Sequence, residues 1–384
     1  MKLTSHERIW RLFRKEEVDR PALKLWGAGL PGPQLHPAYQ PVSDLAAEIS
    51  DLFIQAVFPF DVYFGAYRQE CVENWTTDTA DPLWKDWHVL YHTPGGDLHG
   101  IERVSTVGEP PYTIEHLVKE PEDLAKLLTA PYKPIPVDRA PYDQLVRAVG
   151  ERGVVMPSLE HAGYALQRLT GSETLAYMSV DNRELLKEAV EVFARRIREH
   201  TAAILAAGVR APFQWVGPEL FIPPLLGPRE FEEFVYAVDK PLCDLIHEGG
   251  GYVWVHCHGK TAGFLERFID MGVDILNPLE PAKNGDIDLA EAVERYGNRL
   301  GWEGNIEIQE ILQAEPERLR ALIESCVQVG APSGRFILCP SAGYMEYPFP
   351  SGKYIDNLLL YLRHGYDCVE RCRNGAAVSR KPSA

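Results

Sequence analysis

The chain lacks the features of a membrane or exported protein. None of its 384 residues belongs to a run of about 18 uninterrupted apolar residues, the length that a membrane-spanning helix needs. Its N-terminus, MKLTSHERIWRLFRKEEVDRP, has no apolar signal-peptide segment. The net charge of -16, with basic residues scattered among acidic ones, argues against nucleic acid or an anionic membrane surface as the main partner. We therefore expect a cytoplasmic protein that acts on a small molecule.

Several common chemical motifs are absent as well. The seven cysteines are an odd number without a framework spacing, so we expect reduced thiols. Cys368 and Cys372 share one face of a predicted helix, a spacing that can bind a metal, but no second pair lies nearby and packing or surface placement is the favoured interpretation. No Gly-x-Gly-x-x-Gly follows a strand, and no Walker or Gly-x-Ser-x-Gly sequence occurs. Nucleotide binding and an α/β-hydrolase reaction therefore have no support.

What the chain does contain is an alternation of strand-like and helix-like segments. Short β-rich runs end at Gly, Pro or a polar residue, and amphipathic segments such as 182–208 and 227–250 lie between them. The predicted strands span residues 22–27, 61–67, 154–159, 211–217, 252–257, 272–278, 299–304 and 335–341. Such alternation implies parallel pairing with right-handed crossovers. Eight units in this length favour an α/β fold of the (β/α)8 (TIM) barrel type over an open doubly wound sheet.

Residues 71–135 break this alternation. They predict a hairpin that turns at PGGD (94–97), followed by an extended piece, inserted after the second strand. The hypothesis is therefore a single barrel domain over residues 1–375 that carries this insertion. The last residues, 376–384, are predicted to be a frayed tail.

Polar residues concentrate where the predicted strands end, which is where a (β/α)8 barrel builds its active site. His256 and His258 end the apolar strand 252–257, and residues i and i+2 of a strand face the same side, about 6–7 Å apart, close enough to chelate one ion. Cys257 is then expected to point away, into the layer between strand and helix. Glu219 and Cys339 are the candidates that complete a divalent metal site. The alternative is that one histidine bonds a carboxylate and the other stacks on an aromatic ring.

Other strand ends supply further candidates. Glu280 and Glu303 are candidate catalytic carboxylates, although Glu280 can also orient its loop or cap a helix, and Glu303 can be a buried structural carboxylate. Asp286 and Asp288 are predicted to cap the helix that begins LAEAVERYG. Candidates for a substrate or cofactor pocket are Trp26, Tyr63, Glu160, Trp215, Asn277 and Ser341, and Tyr344 is a third catalytic candidate. For the aromatic residues, core packing is the alternative.

Several segments of the chain resemble the uroporphyrinogen decarboxylase superfamily. They include SHERIWRLFRKEEVDRPALKLWG, TPGGDL, VKEPEDLAKLL, HCHGKTAGFLERFIDMGVDILNPLEP, GWEGNI and FILCPSAGYMEYPFPSGKYIDNLLLYLRHGYD. The resemblance therefore covers nearly the whole chain. Members of this superfamily are (β/α)8 barrels, which is the fold that the alternation of segments also favours.

The superfamily contains two chemistries. Its decarboxylases act on uroporphyrinogen III without a metal and use an N-terminal arginine-rich stretch and an aspartate, whereas the corresponding place here reads LKLWGAGLPGP, with both arginines absent. The other branch comprises corrinoid-dependent methyltransferases, which bind zinc through a His-x-Cys pair after strand five and a cysteine after strand eight. In this chain His256 and His258 occupy the pair. The later cysteine position falls at Ala342, three residues after Cys339.

The resemblance thus implies a zinc-dependent methyltransferase. It would move a methyl group between a corrinoid, carried by a partner protein, and a thiol or a methoxylated or methylated small molecule. Zinc or another divalent metal and the corrinoid are the implied cofactors. One alternative is a carboxy-lyase of the uroporphyrinogen decarboxylase type that acts on a tetrapyrrole. A second is a non-catalytic barrel that binds a corrinoid.

Overall fold

The computed structural model describes residues 2–28, 36–297, 299–343, 346 and 349–373. Tyr344 and the predicted tail 376–384 lie outside these residues. The strands are β1 Ala22–Leu23, β2 Leu52–Val57, β3 Val72–Asp78, β4 Trp84–Tyr91, β5 Leu98–Ser105, β6 Tyr112–Glu115, β7 Gly153–Ser158, β8 Pro212–Val216, β9 Tyr252–His256, β10 Ile275–Leu279, β11 Gly301–Ile306 and β12 Phe336–Pro340.

The α-helices lie between and around these strands. They are α1 Ser5–Arg14, α2 Gln40–Ile49, α3 Arg68–Cys71, α4 Pro121–Leu128, α5 Ala140–Val149, α6 Ala162–Asp181, α7 Arg183–Ala206, α8 Pro228–Phe231, α9 Ala237–Glu248, α10 Leu265–Met271, α11 Leu289–Tyr296, α12 Ile308–Gln313, α13 Pro316–Gly330 and α14 Gly352–Arg373. Short 3-10 turns occur at Pro37–Tyr39, Gly150–Arg152, Pro218–Phe221, Ala262–Phe264 and Ala331–Ser333, and a π-helical turn, Glu232–Tyr236, joins α8 to α9. None of the helices described has the length and apolarity to cross a membrane.

Eight of the strands form one parallel sheet with helices around it. Their order is β1-β12-β11-β10-β9-β8-β7-β2. The two edge strands meet at Asp51, whose backbone N–H donates to the Leu23 carbonyl at 2.7 Å. The predicted α/β fold of the (β/α)8 barrel type is therefore confirmed.

One predicted strand is wrong. Residues 61–67 form turns rather than the second strand, which is β2 instead. The reason is local, because the Asp61 Oδ1 atom accepts the backbone N–H groups of Tyr63, Phe64 and Gly65 at 3.0, 2.6 and 3.1 Å. Gly65 continues the turn with a φ of 59°, a conformation that suits glycine. The other predicted strands each overlap an observed one.

The strand residues alternate between two hydrophobic layers. Inside the barrel, Val154, Met156 and Ile337 pack with Trp254 and with residues of α1. The outward layer, between sheet and helices, includes Val253, Val255, Cys257, Leu276, Trp302 and Leu338. Side chains of successive strand residues point to opposite faces, so each strand contributes to both layers.

The insertion between β2 and β7 is an antiparallel sheet of four strands in the order β3-β4-β5-β6. Within it β4 pairs with β5 from Trp84↔Ser105 to Tyr91↔Leu98, and residues 92–97, which contain PGGD, join the two strands. The region therefore holds two more strands than the single hairpin that the sequence predicts. Tyr91 and Leu98 are buried and join the main hydrophobic core, which attaches this sheet to the barrel.

The helix boundaries follow from local signals, with two differences from the prediction. The predicted segment 182–208 corresponds to α7, whereas 227–250 is divided into α8, the π-helical turn and α9. Asp288 caps α11, because its Oδ1 atom accepts the Glu291 N–H at 2.9 Å. Asp286 is not a cap of that helix; it accepts the Ala262 N–H at 2.9 Å instead.

Candidate active site

His256 and His258 lie where β9 leaves the sheet. Their ring centroids are 4.5 Å apart and the ring planes are at 80°. Both side chains are half-buried, whereas Cys257 between them is fully buried in the outer hydrophobic layer. The alternation expected of an extended chain is therefore confirmed, and the two imidazoles lie on one side of the strand.

Hydrogen bonds set the tautomer of each imidazole. His256 Nδ1 lies 2.6 Å from Asn277 Oδ1, and the amide nitrogen of Asn277 donates to Glu303 Oε1 at 2.7 Å. Since that Asn277 oxygen accepts, His256 Nδ1 carries the proton. His258 Nδ1 likewise donates to Glu280 Oε1 at 2.8 Å. In the neutral form of each ring the lone pair is therefore on Nε2, which has no hydrogen-bond partner among the described residues, and this is how metal-binding imidazoles are commonly held.

Glu303 anchors this network inside the barrel. It is fully buried, and its Oε1 atom accepts from Lys24 Nζ at 2.6 Å while its Oε2 atom accepts from Trp254 Nε1 at 2.7 Å. Lys24 is also buried, with its Nζ atom 4.2 Å from the ring centroid of Trp26 and 4.6 Å from that of Trp254. With all of these donors aimed at it, Glu303 is placed to orient Asn277 and, through it, His256. This is the structural role that the sequence left open for Glu303.

The two imidazoles have different electrostatic surroundings. Burial, together with the nearby His258, lowers the pKa of His256 to about 4. Burial also acts to lower the pKa of His258, but the Glu280 hydrogen bond and the charges of Glu219 and Glu307 outweigh it and raise that pKa. The Glu280 carboxyl accepts the Gly259 N–H at 2.7 Å; although burial opposes it, this bond and the one from His258 lower the pKa of Glu280. The pair therefore combines a neutral imidazole with one that binds a proton more readily.

Two further carboxylates lie near His258. Glu219 follows β8, and its Oε2 atom accepts the Gly217 N–H at 3.0 Å. Burial raises the pKa of Glu219, although the nearby charges of His161 and His258 act in the other direction. Glu307 follows β11; its Oε1 atom is buried without a hydrogen-bond partner, and burial and the charge of Glu280 raise its pKa. The other oxygen of Glu307 accepts from Asn284 Nδ2 at 3.0 Å, so Glu307 combines one paired oxygen with one buried oxygen that lacks the partner such atoms normally have.

Cys339 lies apart from the two histidines. It is fully buried within β12, where it pairs with Asn305, and burial and the neighbouring Glu303 carboxylate raise the pKa of its thiol well above the ordinary value. Within the described ranges, a single group of three metal-binding atoms lies mutually within 4.8 Å, and it contains neither Cys339 nor Glu219. Neither predicted third ligand is thus brought into a compact three-atom group with His256 and His258.

Two of the predicted pocket residues adjoin the pair, and a third, Ser341, contacts Glu307. Asn277 bonds His256 directly, and the Trp26 ring meets the His256 ring edge-on with centroids 5.6 Å apart. The Trp26 indole N–H donates to the Pro340 carbonyl at 3.0 Å, which holds the ring at the end of β12. Ser341 comes next in the chain; its hydroxyl accepts the Ile308 N–H at 3.0 Å and lies 3.4 Å from a Glu307 oxygen. Ser341 therefore positions the start of α12 and Glu307.

The remaining pocket predictions need correction. Trp215 pairs with Val255 in the sheet, whereas Val216 pairs with His256, so Trp215 faces the helix layer and its N–H donates to Asp239 at 3.2 Å. This parity places Trp215 on the opposite face of the sheet from the imidazole of His256. It is a core residue rather than part of a pocket with the histidines.

Tyr63 and Glu160 line a separate cavity of about 320 Å³ beside the inserted sheet. The Tyr63 hydroxyl donates to the Ala165 carbonyl at 2.7 Å, and Glu160 accepts from Arg168 at 2.5 Å. Both side chains are therefore engaged in contacts with α6. The structure does not bring them together with His256 and His258.

Sequence reasoning missed Lys24 and Glu307. Lys24 stands inside the apolar run ALKLWG, and a charged residue in a buried strand was the signal that it needs a buried partner. Glu307 lies one residue beyond the end of β11, and only its position at a strand end marked it. Tyr344, the third catalytic candidate, lies outside the described residues.

Comparisons with known proteins agree with this fold. The family model described as uroporphyrinogen decarboxylase (URO-D) matches residues 106–347, which is more than half of the chain. The chain therefore belongs to the uroporphyrinogen decarboxylase family, as the resemblance of its sequence segments predicted. This membership supports the prediction that the chain is an enzyme. No curated protein sequence matches it.

Two solved structures illustrate the structural likeness. A methyltransferase from Methanosarcina mazei is 14% identical, with 95% of this chain and 100% of that chain covered and a TM-score of 0.59. A D-psicose 3-epimerase from Clostridium cellulolyticum H10 is 10% identical, with 62% of this chain and 86% of that chain covered and a TM-score of 0.31. The first comparison shows a shared fold along nearly the whole chain.

Proposed function

We propose that the chain is a metal-dependent methyltransferase. In this proposal His256 and His258 hold zinc or another divalent ion, and a methyl group passes between a corrinoid, carried by a partner protein, and a thiol or a methoxylated or methylated small molecule. One observation carries the proposal. Both imidazoles donate through Nδ1, to Asn277 and Glu280, and in the neutral rings this leaves both Nε2 lone pairs available.

The residues present fit a divalent ion. A metal-binding histidine commonly donates its other ring N–H to a carbonyl or carboxylate oxygen, as both histidines do here. Glu219 and Glu307 are the candidate third ligands, although among the described residues neither forms with both imidazoles a group of donor atoms that all lie within 4.8 Å of one another, so these groups would have to move closer on metal binding. The buried, unpartnered Oε1 atom of Glu307 is the kind of group that a cation would stabilise. Two imidazoles and one carboxylate form a known zinc-binding set that leaves a position open for substrate.

The protein's own residues prepare the site in two ways. The chain of bonds from Lys24 through Glu303 and Asn277 keeps the proton of His256 on Nδ1. Trp26 packs edge-on against the same ring and restricts its rotation. A bound zinc ion would supply a Lewis acid, which lowers the pKa of a thiol or polarises an ether oxygen.

The comparisons support methyl transfer over tetrapyrrole decarboxylation only indirectly. The Methanosarcina mazei protein that shares the fold is a methyltransferase, although 14% identity supports the fold alone. A tetrapyrrole with many carboxylates requires cations around it. The groups whose charges act on His258 are instead the carboxylates of Glu280, Glu219 and Glu307, and Lys24 is buried and paired.

The first test is metal analysis of protein purified without chelator. We expect His256→Ala and His258→Ala each to lose about one metal ion per chain relative to the unsubstituted protein, because each removes one of two essential ligands. His6→Ala is the matched control, since His6 bonds the carbonyl of Gly153, the first residue of β7, at the opposite end of the strands from His256 and His258. It is expected to retain the metal.

The second test is methyl transfer from methylcobalamin to a small thiol, followed by the cobalamin absorption spectrum. Turnover that is lost with the metal supports the proposal. A protein that neither contains a metal nor takes one up on titration would overturn it. A change in the cobalamin spectrum without turnover would favour the non-catalytic corrinoid-binding barrel, and metal-independent loss of carboxyl groups from uroporphyrinogen would favour the carboxy-lyase.

A further inference from the structure

Three metal-binding side chains meet between the last two described helices, away from the barrel strands. Glu324 lies on α13, and His364 and Cys368 lie one turn apart on the facing side of α14. One donor atom of each lies within 4.8 Å of the other two. Cys368 is fully buried, and the side-chain exposure of His364 is 11%. The cluster is therefore largely closed to solvent on the α14 side.

The hydrogen bonds of His364 show how the cluster is arranged without an ion. Its Nδ1 atom lies 3.2 Å from a guanidinium nitrogen of Arg320, which can only donate, so the ring proton is on Nε2. That Nε2 atom lies 3.0 Å from Glu324 Oε1. The imidazole thus presents Nε2 to the Glu324 carboxylate, the side on which a metal ion would bind.

Binding of a divalent ion requires two proton changes. The proton on His364 Nε2 moves to Nδ1, which displaces the Arg320 guanidinium, and the Cys368 thiol releases its proton to solvent. Arg320 is exposed, so its guanidinium returns to water at little cost. Burial raises the pKa of the Cys368 thiol to about 11, and Arg371, which donates to the sulphur at 3.0 Å, acts in the opposite direction because such a donor stabilises a thiolate.

The donor set selects the class of ion. A thiolate, an imidazole and a carboxylate suit zinc and other borderline divalent ions such as cobalt. In a tetrahedral zinc site the donor atoms are roughly 3.3 to 3.6 Å apart, so side chains that already lie within 4.8 Å have about 1 Å to close. A water molecule would complete the coordination.

We propose that Glu324, His364 and Cys368 bind one zinc-class divalent ion that joins α13 to α14. The position of α14 matters for the barrel, because the Tyr361 hydroxyl on the same helix donates to the Lys24 and Leu338 carbonyls at 2.7 and 3.0 Å. The ion would therefore secure a helix that supports Lys24, the residue that follows β1. The site is independent of the proposed function, since it shares no ligand with His256 and His258.

Cobalt titration of the full chain tests this site, because a cobalt–thiolate bond produces a charge-transfer absorption in the near ultraviolet. In the double variant His256→Ala His258→Ala, which lacks the ligands of the proposed active-site ion, we expect the absorption to saturate at about one cobalt per chain and to disappear when Cys368→Ser is added. His364→Gln is the second variant and is expected to weaken binding strongly. Circular dichroism checks that both variants fold.

Two cysteine controls locate the thiolate. Cys372→Ser removes the half-buried thiol one turn further along α14, and Cys339→Ser removes the buried thiol of β12. Both are expected to keep the absorption. Arg320→Ala removes the competing donor to His364 Nδ1 and is expected to tighten cobalt binding several-fold.

Clear outcomes would overturn the proposal. They are the absence of a thiolate absorption in the unsubstituted chain, its persistence in Cys368→Ser, or its loss in Cys339→Ser instead. The double variant His256→Ala His258→Ala separates the two sites. If it keeps the absorption while losing its other metal ion, the helix site stands whether or not the methyltransferase proposal does.

Discussion

The two ends of the barrel both carry buried charges, but the charges are used differently. At the amino end, Asp51 accepts from Arg8 at 2.6 Å, from Arg20 at 3.0 Å and from the Leu23 N–H at 2.9 Å. Asp19 also pairs with Arg8, at 2.7 Å. Each carboxylate of this cluster has charged partners, and the cluster links α1 to the point where β1 and β2 meet.

At the carboxyl end, the buried Glu303 carboxylate is equally well paired, but the two imidazoles and Glu307 are not. Glu303 has three donors, whereas the Nε2 atoms of His256 and His258 have none among the residues described here, and a buried Glu307 oxygen has no partner. Buried polar atoms are normally paired, so those that are not require an explanation. The comparison therefore assigns a stabilising role to the amino end, whereas the unpaired groups of the carboxyl end are those that the proposed metal site would use.

The largest expected effect is on stability at the amino end. Asp51→Ala leaves Arg8 and Arg20 without their shared carboxylate and the Leu23 N–H without an acceptor. Because the site is buried, we expect the free energy of unfolding to fall by about 4–5 kcal/mol. Urea denaturation measures this change, while metal content should remain that of the unsubstituted protein.

A matched control is Glu266→Ala, which breaks the exposed pair between Glu266 and Arg299. Exposed pairs contribute little, so the unfolding midpoint should hardly move. An equal loss in both variants would contradict the assignment of the buried cluster as a stabilising element.

The next largest effect on stability concerns the buried hydrogen bonds of Glu303 with Lys24 and Asn277 at the carboxyl end. Lys24→Met removes the ammonium group from Glu303 and leaves a fully buried carboxylate with two neutral donors, Trp254 and Asn277. We expect a loss of about 3–4 kcal/mol in the free energy of unfolding. Urea denaturation again provides the measurement.

Adding Glu303→Gln to Lys24→Met tests the cause of that loss. The double variant no longer buries an unpaired charge, so it should be more stable than Lys24→Met alone. If the two substitutions simply add, the buried charge is not what destabilises the single variant.

Asn277→Ala tests the residue that orients His256, one of the two proposed metal ligands. It removes the acceptor that holds the proton on His256 Nδ1, so the imidazole loses its fixed tautomer and orientation. Loss of such a partner weakens metal binding by about 10–100-fold. Competitive titration of zinc measures it, and Asn305→Ala, which removes an amide donor to the Leu279 carbonyl on the neighbouring strand, is the control.

The smallest effect is a gain in stability from Glu307→Gln, measured in metal-free protein. Since burial raises the pKa of Glu307 in the folded chain, its ionised form is destabilised there, and the unsubstituted protein loses stability as the pH rises through the unfolded value of about 4.3. The glutamine variant avoids this loss. Urea midpoints should therefore favour the variant at pH 7 and converge with those of the unsubstituted protein in acid. The opposite sign would contradict the unfavourable burial of the ionised Glu307 carboxylate.

Sequence alone predicted what depends on local geometry. Alternation along a strand placed His256 and His258 on one side and Cys257 on the other, because this parity needs no distant contact. The Asp288 cap is local in the same way. The resemblance of several segments to the uroporphyrinogen decarboxylase superfamily added the fold, which the structure and the family model confirm.

Tertiary structure decided which residues from distant strands become neighbours. Lys24 and Glu303 are 279 residues apart, and only closure of the sheet from β1 to β12 and β11 brings them together. The sequence also could not show that Trp215 faces the helices, since strand parity becomes informative only when the register to β9 is known. The contacts of Glu307 also depend on barrel closure. Hydrogen bonds between residues close in sequence determine local conformation, whereas closure of the barrel determines which charged residues from distant strands become neighbours.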